Sequence, residues 1–114
     1  MDTEKLNRTA EYVSVALANK EYKLIEKFTR GIRLSAEDIE EAIDEYGRTV
    51  TSLPSEGYTN LDVVEVASSN PKEWSVYIPV YTKEEGLSDL TLEVTMREST
   101  SELFEVELDN LHVL

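Results

Sequence analysis

Leu6, Ala10, Val13 and Leu17 recur at intervals of four, three and four residues, which places them on one stripe of a helix. Asp2 or Thr3 can cap the start of this helix, and Asn19 marks a break after it. Tyr22, Ile25 and Phe28 form a second, shorter stripe with Leu24 beside it. Gly31 can end that helix in a left-handed conformation. The third helix has the strongest pattern. Ser35 and Asp38 are spaced as a capping box with Asp in the usual Glu position. Ile39, Ala42, Ile43 and Tyr46 then follow at i, i+3, i+4 and i+7, and Gly47 stands at the C-terminal stop.

Beyond Gly47 the period changes to two. Arg48 to Leu53 is polar and β-branched, a short edge strand ended by Pro54, and Ser55-Glu56-Gly57 reads as a turn. Leu61 to Ala67 is rich in β-formers, but Val63 and Val64 are adjacent, so this strand is expected to be covered on both faces or bulged. Ser68-Ser69-Asn70-Pro71 is a turn cluster. Trp74, Val76, Ile78 and Val80 alternate with Ser75, Tyr77, Pro79 and Tyr81. Pro79 has no N–H for a ladder, which puts it at an edge or a bulge.

Leu90, Leu92, Val94 and Met96 alternate with Thr91, Glu93, Thr95 and Arg97, a strand with one buried face. Ser99-Thr100-Ser101 turns the chain into a last alternating face, Phe104, Val106 and Leu108. After Asp109-Asn110 the apolar phase passes to Leu111 and Val113, so a bulge or turn is expected there. Between the third and fourth strands, Thr82 to Asp89 reads as a long charged connection with three acids, a glycine and a serine. A hairpin needs only about two to five residues. This length suggests either a specific loop structure or a binding surface.

Three helices followed by an antiparallel meander predict a single α+β domain over residues 1–114. The helices should cover one face of a curved sheet of four to five strands. The element order is that of cone-like folds of the nuclear-transport-factor and cystatin type. Fold order of this kind says little about function.

Charge adds what periodicity does not. Residues 1–33 carry seven basic groups against five acidic ones, a net of +2. Residues 34–114 carry four against nineteen, a net of −15. Such a field repels phosphate backbones, which argues against nucleic acid, and it attracts a basic protein partner. Solubility alone also accounts for it. Six acids, Glu37, Asp38, Glu40, Glu41, Asp44 and Glu45, fill the polar positions of the third helix. Asp44 and Glu45 oppose the dipole at its C-terminus. There is no apolar run of membrane-span length, and the acidic N-terminus lacks signal-peptide order. With no cysteine there is neither a disulfide framework nor a thiolate site, and a cytoplasmic location is expected.

The residues that could carry chemistry are few. His112 is the single histidine, so a transition-metal site or a Ser/His/Asp triad would have to use it. No Gly-x-Ser-x-Gly or phosphate-loop spacing accompanies it. Glu84, Glu85 and Asp89 lack EF-hand spacing. Ser88 and Asp89 can bond loop amides, and Gly86 can adopt a conformation closed to other residues. That leaves Glu84 and Glu85 without a structural role. Tyr77 and Tyr81 fall on the face opposite Trp74, where they either cover the edge of the core or form a protein-binding surface. No cofactor is expected, and the chain reads as a non-enzyme.

Tyr46-Gly47-Arg48-Thr49, Leu53-Pro54, Trp74-Ser75-Val76, the stretch from Tyr81 to Leu92 and the final Leu111-His112-Val113-Leu114 resemble a family of small uncharacterised bacterial proteins. The resemblance spans nearly the whole chain, and Thr-x-Glu-Glu-Gly-x-Ser-Asp-Leu-Thr-Leu is its most specific string. The family pattern often has Trp in place of Tyr81 and Arg in place of Leu87. The resemblance implies a single-domain cytoplasmic protein, with some members acting as immunity proteins of toxin systems. The expected function is therefore neutralisation of a cognate toxin, such as a basic nuclease. Its expected contacts are Glu84, Glu85, Asp89, Tyr77, Tyr81, Glu40, Glu41, Asp44 and Glu45. The alternative is a small-molecule binder or enzyme with a pocket between helices and sheet, drawing on Tyr46, Arg48, Asp89 or His112.

Overall fold

A computed structural model describes residues 1–114, apart from the side chain of Asn60. Three helices precede the sheet: α1 (Thr3–Ala18), α2 (Tyr22–Thr29) and α3 (Ala36–Tyr46). Asp2 caps α1 by accepting the Lys5 N–H at 3.0 Å, and α1 stops at Asn19. The capping box of α3 forms in both directions between Ser35 and Asp38, and Gly47 closes that helix at φ 73°. At the end of α2 the left-handed cap is Arg30, at φ 62°, one residue earlier than expected. Gly31 follows at φ 60°.

The strands are β1 (Val50–Thr51), β2 (Asp62–Glu65), β3 (Glu73–Thr82), β4 (Gly86–Arg97) and β5 (Glu105–Val113). All pairings are antiparallel, in the order β1-β3-β4-β5, with β2 also on β3. The fold is α+β with an open five-stranded sheet. The expected strand at Arg48–Leu53 shrinks to two residues, and a 3-10 turn over Ser55–Asn60 replaces the simple turn. β2 is neither covered on both faces nor bulged. It is a short, regularly paired outer strand that leaves Val64 exposed.

Pro79 shows how an edge tolerates proline. On β3 the Glu73 carbonyl accepts from Val66, and the Lys83 N–H donates to the Thr49 carbonyl, both on the β1/β2 side. Alternate residues of a strand share one hydrogen-bonding side, so Pro79 points to that side as well. There β2 pairs with Trp74 to Tyr77 and β1 with Tyr81 and Thr82, and no donor is needed between them.

The core lies between the helices and one face of the sheet. Val13, Ile25 and Ile39 meet Val76, Ile78, Leu92, Val94, Met96 and Leu108, all almost fully buried. Two bulges fit the strands to this core. β4 inserts extra residues around Ser88–Leu90, where the Ser88 hydroxyl donates to the Val80 carbonyl at 2.7 Å and accepts the Leu90 N–H. β5 shifts by one residue at Asp109-Asn110, as the change of apolar phase predicts. Among the described residues, no helix is long and apolar enough to cross a membrane.

Candidate functional site

The acids of the chain fall into two settings. On α3, Glu37, Asp38, Glu40, Glu41, Asp44 and Glu45 are exposed, and among the described residues none forms an ion pair. The last turn of α3 holds no basic residue. Glu37/Glu41, Glu40/Asp44 and Glu41/Glu45 are like-charged at i, i+4. Each such pair costs a helix about 0.2–0.5 kcal/mol. The Tyr22 hydroxyl feels this field: burial first, then Asp44 and Glu40, push its pKa up.

The β3–β4 connection abuts this helix. Thr82 still pairs with Gly86, so the loop is only Lys83, Glu84 and Glu85, with Gly86 at φ 71°. The eight-residue connection expected from sequence is thus a three-residue hairpin loop of a common type, closed by a left-handed glycine. Nor are its acids without structural work. Glu84 accepts the Thr49 N–H at 2.8 Å and the Thr49 hydroxyl at 2.9 Å, and these bonds hold its carboxyl below the ordinary value. Glu85 accepts the Tyr46 hydroxyl at 2.9 Å and the Thr82 hydroxyl at 3.1 Å. These bonds fix the hairpin tip to the C-terminal end of α3, so the two acidic segments form one end of the molecule.

The open face of the sheet is the opposite case around Arg97 and His112, because the acids there, Glu73, Glu93, Glu105, Glu107 and Asp109, are paired. Arg97 donates from Nε to Glu73 at 2.7 Å and from Nη2 to Glu107 at 3.2 Å. Arg30 and Arg33 reach from the end of α2 to Glu105, Glu107 and Asp109. Thr95 donates to Asp109 at 2.7 Å, yet burial raises the Asp109 pKa more than Thr95 and Arg33 lower it. Glu93 accepts the Tyr77 hydroxyl at 3.2 Å and lies 2.9 Å from His112 Nε2. His112 and Glu93 thus form an ordinary strand-to-strand pair, which becomes an ion pair when the imidazole is protonated.

The residues singled out from sequence divide accordingly. Glu40, Glu41, Asp44 and Glu45 share the exposed face of α3, with Glu84 and Glu85 beside its C-terminus. Tyr77 and Asp89 lie elsewhere, on a groove of the open face. Tyr81 is withdrawn from any surface, at 7 % exposure. It packs under the 3-10 turn, where a Cβ on Gly57 would come within 3.2 Å of its ring and 2.7 Å of Leu53. Tyr46, Arg48, Asp89 and His112 do not converge on one pocket. Tyr46 and His112 share a hollow beside α3, Arg48 lines another near α1, and Asp89 is on the open face. Among the described residues no group of three or more His, Asp or Glu side chains is placed to hold a metal ion. Sequence reasoning passed over Asp62 and Leu87, which line the groove with Tyr77 and Asp89. Leu87 stands three residues before Leu90, out of phase with the apolar face of β4, and that was the available signal.

No curated protein and no solved structure matches the chain. A family model described as a domain of unknown function, DUF7668, matches residues 14–114, and the chain belongs to that family.

Proposed function

We propose that the protein is a non-catalytic acidic binding protein, acting as a bacterial immunity protein that covers the basic surface of a cognate toxin, such as a nuclease. The observation that carries this reading is the arrangement of acids on α3. A helix that only needed solubility could alternate its charges at i, i+4 and gain stability. This one places acid against acid, leaves its C-terminal dipole uncompensated and joins its end to a further pair of acids on the hairpin tip. Such a surface steers a basic partner into encounter and loses that advantage as salt rises.

The first test is the neighbouring gene, which should encode the toxin domain if this reading holds. Co-expression should restore growth, and the purified proteins should bind with a steep salt dependence. The combined variant Glu40→Gln, Glu41→Gln, Asp44→Asn and Glu45→Gln should weaken binding at low salt by at least about tenfold and flatten that dependence. Full affinity and an unchanged salt slope in this variant would remove α3 from the interface. Failure of the wild-type protein to protect would reject the immunity function.

A further inference from the structure

The open face of the sheet holds a groove that the acidic end of the molecule does not account for. It has a volume of ≈ 410 Å³ and lies across β3 and β4 beside the Ser88–Leu90 bulge. Tyr77, Pro79 and Thr91 line it on the central strands. Leu87 and Asp89 bound it on the β4 side, and Asp62 of β2 bounds it on the other.

Two observations set this groove apart from the paired surface next to it. Leu87 is 53 % exposed within a strand, and Val64, also 58 % exposed, extends the apolar surface along β2 beyond Asp62. Asp62 and Asp89 have neither an ion pair nor a side-chain hydrogen bond among the described residues. By contrast Glu73, Glu93, Glu107 and Asp109 on the same face are all engaged. The Tyr77 hydroxyl is turned to Glu93, which leaves its ring as apolar wall.

An apolar floor between two uncompensated carboxylates is complementary to a strand-like segment with an apolar side chain between two cationic ones. In an extended segment, residues i, i+2 and i+4 share a face over roughly 13 Å, while the strands flanking β3 are roughly 10 Å apart. Lys or Arg at i and i+4 can therefore reach Asp62 and Asp89 while an apolar residue at i+2 lies on Pro79 and Leu87. We propose that this groove docks an extended cationic segment of the partner protein in that way. The inference rests on the reading of the chain as an acidic binding protein, and it specifies the local chemistry of the partner.

The probe is the capped peptide acetyl-Lys-Thr-Leu-Thr-Lys-amide, titrated at millimolar concentration into 15N-labelled protein. Amide shifts are expected at Asp62, Tyr77, Leu87, Asp89 and Thr91. The apparent affinity should fall about tenfold in Leu87→Ser, in the pair Asp62→Asn and Asp89→Asn, and with a probe whose Leu is replaced by Ser. Unchanged signals from α3 and the core in each variant show that the fold is intact. Shifts confined to Glu37–Glu45, no shifts at all, or groove shifts that persist in every variant would overturn the groove. The binding-protein reading is scored separately by growth protection, so an inert groove in a protecting protein refutes only the present inference.

Discussion

The exposed face of α3 and the open face of the sheet are built from similar numbers of carboxylates and differ in what those carboxylates meet. On the sheet, Arg30, Arg33, Arg97 and His112 stand opposite Glu73, Glu93, Glu105, Glu107 and Asp109, and hydroxyls of Tyr77 and Thr95 complete the network. On α3, among the described residues, no cation answers any of the six acids, and their spacing sets like charges against one another. Acid content alone therefore says little. Acids with partners position strands, whereas acids without partners cost the fold something and are free to engage another molecule.

The strongest way to break this contrast is at Arg97. Replacing it by Leu strips two carboxylates of their shared partner, and native stability in urea should fall by about 2 kcal/mol, less than for a deeply buried pair because the site is partly solvated. A loss below the error of the measurement would put the sheet network on the same footing as α3. The converse change is the fourfold neutralisation of Glu40, Glu41, Asp44 and Glu45. It relieves repulsion and the opposed dipole, so stability should rise by about 1 kcal/mol. A fall would mean that these acids have partners in solution after all.

Smaller still is Tyr46→Phe, which removes the bond from α3 to Glu85. It should cost about 0.5 kcal/mol and speed amide exchange in residues 82–86 without affecting β5. The least energetic test follows individual carboxyls by NMR. Glu84 should titrate below its ordinary 4.5, because Thr49 hydrogen-bonds its charged form, and Asp109 above its ordinary 3.8, because burial opposes its charge. The consequences for stability have opposite signs. The Glu84 contribution is present above pH 4.5 and is lost as pH falls through its lower folded pKa. The Asp109 charge is a penalty above its raised pKa, and this is relieved as pH falls through that value toward 3.8. Glu84→Gln and Asp109→Asn should each delete one of these trends, and titration in the reverse directions would show that the bonding differs in solution.

Much of the scaffold was legible in the chain because the signals were local. The capping box at Ser35 and Asp38 and the Gly47 stop define α3 within its own span. The loss of apolar phase between Leu108 and Leu111 announces the β5 bulge. Misreadings arose where the outcome depended on distant residues. Counting polar residues from Thr82 to Asp89 made a long loop, since the partner of Gly86 is visible only when β3 and β4 are in register. Tyr81 alternates like a surface residue but is covered at Gly57 by the 3-10 turn, which arrives from another segment. Val63-Val64 looked doubly buried because two adjacent apolar residues mark burial only when both faces are covered, and here one face of β2 is open.

By itself the sequence determined the three helices, the apolar faces of β3, β4 and β5, the α+β order and the surplus of negative charge beyond residue 33. These follow from 3.6- and 2-residue periods and from composition, which require no knowledge of neighbours. Only the tertiary structure decided which of those charges are spent. Arg30 and Arg97 are far apart in the chain, and strand register and the cap of α2 bring both to Glu107. Among the described residues the same packing carries no cation to α3, Asp62 or Asp89. Pairing depends on reach across the fold, and a one-dimensional pattern does not contain that distance.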